Sequence, residues 1–407
     1  MKYLFLSGLY PKDEELFFVK YSKSGSLQNA PNVFQWNVVD GLYKNSVDFW
    51  VLSAPFVASY PKGFRSLMLP EFPIFYENKM IGKTVGFCNM IGIKGASIEI
   101  QVEKEMLLWI KDKRIGTQDR FVILTYTPLA FFLNAVKRVK DKYPNVIVCS
   151  IVTDLIEDAH NFKANQTILK KMQIALEKKA ERENFKMIDK FVLLSKAMIE
   201  RIPEADGKSV VVEGIANVLG DVPRKSKNDS IRTLLYTGSL HEFSGIKNLV
   251  AAFRKTTNDS YRLIICGIGE CESYIREEAK KDSRIVFLGN LKREEAVKEQ
   301  YNATALINPR PPVEDITRYS FPSKTMEYLS SGTPMIGYQL AGIPEEYYEH
   351  FFSPNDISIN ELAFTIDKVL NMDGGELREK GEMAFGFIRD KKNSKAQVRR
   401  IINFVEQ

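Results

Sequence analysis

The chain has no run of about 18 or more apolar residues, so no segment reads as a membrane-spanning helix. Histidine is scarce: His160, His241 and His350 are the only three, and none stands in an HxxxH or HExxH arrangement. A histidine-based metal site is not expected. The four cysteines, Cys88, Cys149, Cys266 and Cys271, show no ligand spacing. Gly-Ile-Gly-Glu separates the last two, a pattern that fits neither a zinc knuckle nor a redox pair. Reduced structural thiols in a cytoplasmic protein are expected. Charge of one sign is also in short supply, with a net charge of +6 and a pI near 8.8. That balance suits anionic small molecules or an anionic membrane surface as readily as nucleic acid, and no nucleic-acid motif is present. No G-x-G-x-x-G follows the first apolar run, which argues against an NAD-dependent oxidoreductase.

What is present is a long alternation. With 407 residues the chain exceeds one ordinary core and suggests two domains. Short apolar runs recur in the first half: KYLFLSG, DFWVLSA, KTVGFCNM, DRFVILTYT, NVIVCSIVTD, DKFVLLSK and SVVVEGI. Helical patterns lie between many of them, at 33–43, 98–113 and 168–184. Strands separated by helices predict parallel sheets covered on both faces. The opening MKYLFLSG reads as the first strand rather than a leader, because acidic residues follow within a dozen or so positions. The polar stretch around 220–230 is the best linker, and a second alternating series follows: IRTLLYTGS, YRLIICGIG, RIVFLGN, ATALINP and TPMIGYQ. Most of these runs end in a small or turn-forming residue, where open α/β sheets place ligand loops.

The stretch SFPSKTMEYLSSGTP, at 320–334, predicts a helix with both ends written out. Pro322 suits its first position, and Gly332 followed by Pro334 suits its end. Met326 and Leu329 can face a core, which leaves Ser323, Lys324 and Glu327 without a packing role. Free N–H groups at Ser323, Lys324 and Thr325, with the helix dipole and the lysine, would suit a phosphate. Glu327 lies about 6 Å further along the axis, near the span from a diphosphate to the ribose hydroxyls. From the helix alone, a surface lysine and a surface ion pair remain the competing reading.

In order, YTGSLHEFSGIKNLVAAF, LIICGIGECESYI, IVFLGNLKREE, ALINPRPP and FPSKTMEYLSSGTPMI resemble the nucleotide-binding domain of glycosyltransferase family 4. The last block resembles the variant seen in capsule, O-antigen and cell-wall enzymes. The resemblance implies a GT-B α/β fold, with two doubly wound Rossmann-like domains, an interdomain cleft and a C-terminal helix crossing back. The expected division is an acceptor-binding domain at 1–219, a linker at 220–230, a nucleotide-sugar domain at 231–385, and a returning helical segment at 386–407. Val398, Ile401, Ile402 and Val405 would form the apolar face of that last helix.

By the same resemblance Glu327 holds the ribose, Gly238 lets the backbone approach the diphosphate, and Gly289, Asn290 and Leu291 form the base-binding loop. Two departures stand out. The family's first glutamate falls at Tyr319, and its usual arginine and lysine fall at Ser239 and Ser244. Lys324, Arg310 and Arg318 are the candidates to replace the two cations, each worth about 1.5–3 kcal/mol in a charge-assisted bond. In the first half, Gly25 and Ser26 match a loop that closes over donor phosphate and acceptor, with a plain surface loop as the alternative. Asp154 falls where many relatives carry a cleft histidine, which implies a direct catalytic role, and a helix N-cap would explain it as well. The segment PLAFFLNAVKRVKDKYP joins an apolar face to Lys137, Arg138, Lys140 and Lys142, as either a peripheral membrane helix or a packed helix with a basic face.

The implied activity is transfer of a sugar, with retention and without a metal or other cofactor, from a nucleotide-diphosphate donor to a saccharide or lipid-linked saccharide. UDP is the favoured base carrier and GDP the second. No Asp-x-Asp metal motif is present, which agrees with a metal-free reaction. The expected setting is the cytoplasm, at the inner face of the membrane, with no nucleic-acid partner. The rival reading is a catalytically silent homologue that acts as a binding or partner subunit.

Overall fold

The structure, a computed structural model, describes residues 1–25, 27, 29–153, 182–216, 230–312 and 317–407. Two compact units emerge, one of 1–215 with 394–407 and the other of 216–393.

The first unit is built on an eight-stranded sheet. Its strands are β1 (Lys2–Ser7), β2 (Asp48–Ser53), β4 (Pro73–Tyr76), β5 (Lys79–Thr84), β7 (Phe121–Tyr126), β8 (Val146–Val152), β9 (Lys190–Leu193) and β10 (Ser209–Val211). Their order is β10-β9-β8-β7-β1-β2-β5-β4. Every pairing is parallel except β4 against β5 at the edge. Buried apolar residues fill both faces of β7 and β8, as a central parallel strand requires. The run KTVGFCNM, read as one strand, is broken: β5 ends at Thr84, and Phe87–Cys88 becomes a separate strand, β6, antiparallel to β3 (Met68–Leu69). Gly86 lies at the break, where β5 leaves the main sheet.

Among its described residues this unit carries helices α1 (Glu15–Tyr21), α2 (Asn29–Lys44), α3 (Lys94–Asp112) and α4 (Ala130–Lys142). The last helix, Ser394–Glu406, belongs to this unit too, with Val398, Ile401, Ile402 and Val405 in the same core as Val38, Val39 and Leu42 of α2. Ser394 Oγ, Tyr76 Oη and Lys44 Nζ converge on the Asp40 carboxylate and hold its pKa below the usual range despite burial. Helix α4 is a packed element rather than a free amphipathic one. Phe132, Leu133, Val136 and Val139 are buried, Arg138 pairs with Glu99 and Glu103 of α3, and Lys140 pairs with Asp189.

The second unit carries a five-stranded, all-parallel sheet of order β13-β12-β11-β14-β15. These strands are β11 (Arg232–Thr237), β12 (Tyr261–Cys266), β13 (Ile285–Gly289), β14 (Ala305–Asn308) and β15 (Met335–Gly337). Helices α5 (Ile246–Phe253), α6 (Glu272–Lys281) and α7 (Arg293–Asn302) connect successive strands, and α8 (Ser323–Ser330) precedes β15. Strand order reverses beside β11, the place where open α/β sheets bind ligands beyond their carboxyl ends.

Candidate active site

Backbone contacts tie the strand ends of the second unit together. The Gly238 amide donates to the Cys266 carbonyl at 2.9 Å, and the Gly267 amide donates to the Gly289 carbonyl at 2.8 Å. Glycine is required at Gly267, where φ is 148° and a Cβ would stand 1.7 Å from the Gly238 carbonyl oxygen.

Helix α8 runs into this cluster. Thr325, Met326, Tyr328 and Leu329 are its buried face. Gly332, with φ of 66°, ends it in the left-handed conformation expected of it. Pro322 is the N-cap, one position before the place read from sequence, and it offers no side-chain cap. The Thr325 amide is also unavailable to a ligand, since it donates to the Pro322 carbonyl at 2.9 Å. The amides of Ser323 and Lys324 remain as the open donors of the helix end.

Lys324 folds back over β11. Its Nζ donates to the Thr237 carbonyl at 2.7 Å and lies 5.3 Å from the centre of the Tyr236 ring. A Cβ on Gly238 would stand 1.5 Å from that nitrogen, and Gly238 adopts a φ of 146°. The glycine therefore gives the ammonium its place. Burial pushes the Lys324 pKa down, with the Glu327 charge opposing, and no carboxylate pairs with it among the described residues.

Arg310, just beyond β14, is the second cation. It lies 5.9 Å from the centre of the Phe243 ring, makes no ion pair among the described residues, and has its pKa lowered by burial against an opposing Tyr236 interaction. Both cations thus border Tyr236. Its buried phenol is pushed up to about 12 and donates to the Ser239 carbonyl at 2.7 Å. Ser239 is exposed and Ser244 is buried beside Tyr236. Two partly desolvated cations that meet no carboxylate among the described residues, beside an uncapped helix end, make an arrangement suited to an anion.

Glu327 lies one turn on from Ser323 and is exposed. Gln300 Nε2 donates to Glu327 Oε1 at 2.6 Å and to Thr237 Oγ1 at 2.9 Å. The Tyr328 hydroxyl accepts from the Thr237 amide at 2.9 Å and donates to its carbonyl at 3.0 Å. Gln300 and Tyr328 were not recognised in the sequence as site residues. They hold Thr237, the residue from which Lys324 hangs.

The remaining candidates are dispersed. Gly289 has a φ of 70° and open space around it, Asn290 is exposed, and Leu291 is half-buried. Tyr319 is buried and Arg318 exposed, and both have partners. Asp154 and Ser26 lie outside the described residues.

In the first unit, Gly25 is exposed with a φ of 66°. It adjoins a pocket of about 480 Å³ lined in part by Tyr10, Lys23, Ser24, Phe56, Lys62 and Phe64. Three side chains of α2 fix the loop after β1 beside it. Gln35 Oε1 accepts from the Gly8 amide, Asn32 Oδ1 accepts from the Tyr10 amide, and Trp36 Nε1 donates to the Tyr10 carbonyl.

Residues 231–372 match the family model "Glycosyl transferases group 1". No curated protein matches the chain in sequence. Among solved structures, sucrose-phosphate synthase from Thermosynechococcus elongatus has a TM-score of 0.64 at 14% identity, over 100% of this chain and 99% of that one. A mutant of S. aureus TarM in complex with fondaparinux, alpha-GlcNAc-glycerol and UDP gives 0.60 at 9% identity, over 100% of both chains. HepE from Anabaena in complex with UDP gives 0.61 at 11% identity, over 100% of both. These likenesses extend the fold assignment beyond the matched residues. The fold is therefore the GT-B fold of these glycosyltransferases, and within it residues 231–372 carry the likeness to the group 1 family.

Proposed function

We propose that the chain is a retaining, metal-independent transferase moving a sugar from a nucleotide-diphosphate donor, UDP-linked by preference, to a saccharide or lipid-linked saccharide in the cytoplasm. The observation that carries this is the pair Lys324 and Arg310, two half-buried cations that border Tyr236 and make no ion pair among the described residues. Breaking the bond between the anomeric carbon and the phosphate oxygen leaves new charge on the diphosphate. Preorganised cations and helix amides stabilise that charge without reorganising as it appears. Lys324 and the Ser323 and Lys324 amides are placed for this work, and Arg310 supplements them. Glu327, steadied by Gln300, has a second carboxylate oxygen to accept from ribose hydroxyls.

The metal-free reading is supported by where positive charge comes from. In this reading the side chains of Lys324 and Arg310 supply that charge. UDP is favoured because the TarM and HepE structures contain it. Retention rests on the family resemblance. The acceptor is assigned to the aromatic pocket of the first unit, where Tyr10, Phe56 and Phe64 offer faces for a sugar and Lys23 and Lys62 suit an attached phosphate.

Thermal shifts with UDP, GDP and ADP test the donor, because a ligand bound to the folded state raises the melting temperature. UDP should give the largest shift, undiminished by a chelator. Absence of any shift at millimolar nucleotide would sink the proposal. Nucleotide binding without hydrolysis or transfer of any UDP-sugar would favour the silent homologue. With an acceptor in hand, NMR of the product reads the anomeric configuration.

A further inference from the structure

Three segments of the first unit, 16–25, 54–70 and 84–98, contain no aspartate or glutamate. They are distant in sequence and the fold stitches them together. The Lys23 amide donates to the Gly63 carbonyl, and the Arg65 amide to that of Tyr21. The Tyr60 amide donates to the Asn89 carbonyl, and the Asn89 amide to that of Leu67. Strand β3 pairs with β6 through Met68 and Cys88. Four exposed cations, Lys20, Lys23, Lys62 and Arg65, stand on this surface, and none forms an ion pair among the described residues.

Large apolar side chains are exposed among them. Leu16 is 84% accessible, Met68 57% and Ile91 50%, with Leu67 and Met90 beside them. An exposed apolar group of this kind marks an interaction surface. Its cations without counter-charges select what covers it. A second copy apposed through the same three segments would set these cations against like charges, since those segments hold no carboxylate to meet them. An anionic bilayer answers both features, accepting apolar side chains at its interface and cations at its headgroups.

We propose that this face docks on an anionic lipid bilayer. The pocket of about 480 Å³ is lined in part by two of these segments, 16–25 and 54–70, so docking would hold it at the lipid surface. Helix α4 has no part in this, its apolar face being buried and its Arg138 and Lys140 paired. Vesicle binding requires no sugar transfer, so failure of the donor assignment leaves this docking standing, and the converse also holds.

The test is co-sedimentation of the full chain with vesicles of phosphatidylglycerol and phosphatidylcholine, or of phosphatidylcholine alone. Binding is expected to the mixed vesicles only, and it should weaken as salt rises from 0.05 to 0.5 M. Each cation near an anionic leaflet contributes about fivefold to partitioning, so Lys20→Gln with Arg65→Gln should weaken binding about 30-fold. Met68→Ser with Ile91→Ser should weaken it independently. Both variants must keep the wild-type circular dichroism spectrum and melting temperature without ligand, which shows that they are folded. No binding to the mixed vesicles, equal binding to phosphatidylcholine alone, or undiminished binding by both variants would overturn the docking face. So would a concentration-dependent dimer that Met68→Ser dissolves, since a second copy would then be the occupant.

Discussion

Replacing Gly238 by alanine should mimic loss of Lys324. A Cβ at that position would stand 1.5 Å from Lys324 Nζ and 2.4 Å from its Cε, so the ammonium must leave the Thr237 carbonyl. The lost charge-assisted contact to a diphosphate is worth about 1.5–3 kcal/mol, roughly a 10- to 150-fold rise in Kd for UDP. A separate effect falls on the fold, because alanine at a φ of 146° is strained by roughly 1–3 kcal/mol. Calorimetry with UDP reads the first effect and thermal melting the second. The decisive comparison is a cycle of Gly238→Ala, Lys324→Ala and the double variant. If the glycine serves to seat the ammonium, the double variant binds UDP no more weakly than Lys324→Ala. Additive losses, or wild-type affinity in Gly238→Ala, would refute the reasoning.

The Lys324 pKa is lowered by burial, so UDP affinity should fall as pH rises through a value below the ordinary lysine range, and Lys324→Met should abolish that dependence in a calorimetric pH series. Between its folded and unfolded pKa values the unfolded chain binds more protons, so this group makes the ligand-free protein more stable as pH rises across that window. Melting curves of Lys324→Met should show a correspondingly smaller rise. Tyr328→Phe strips the Thr237 amide of its acceptor, and a buried unpaired group costs about 1–3 kcal/mol. A melting temperature lower by several degrees is expected, and an unchanged one would contradict the role given to the hydroxyl. Glu327→Ala should weaken UDP binding about tenfold while leaving inorganic pyrophosphate binding unaltered, as loss of a ribose contact requires. Equal weakening of both ligands would remove Glu327 from the ribose end.

The central strands were legible because a strand buried on both faces must be continuously apolar, and DRFVILTYT and NVIVCSIVTD became β7 and β8. The edge was not. Strands β3 and β6 are two residues each, too short to carry a period, and they exist through pairing across about 20 residues. At the candidate site, α8 was legible from its proline, its glycine and its spacing, to within one residue at its start. The direction of Lys324 was not, because it depends on β11 lying beside the helix, 87 residues away in sequence. Gln300 was hidden for the same reason: it stands 63 residues from Thr237 and 27 from Glu327, and a lone glutamine on a helix gives no pattern to find.

The serines at 239 and 244 then have a physical reading. The cations that the family resemblance places at these two positions would come from the loops directly after β11. Here the positive charge arrives from further along the chain, Arg310 after β14 and Lys324 on α8. Both converge on Tyr236, whose hydroxyl reaches the Ser239 carbonyl and fixes the turn that an arginine or lysine at those positions would otherwise crowd with a third cation. Lys324 and Arg310 are already partly desolvated and pair with no carboxylate among the described residues, so each further cation would raise their mutual repulsion in a low-dielectric setting. Two cations serve a diphosphate, and relocating them excludes the original pair. On the function proposed above, serine at 239 and 244 is therefore an exchange of charge between strand ends rather than loss of the proposed anion site.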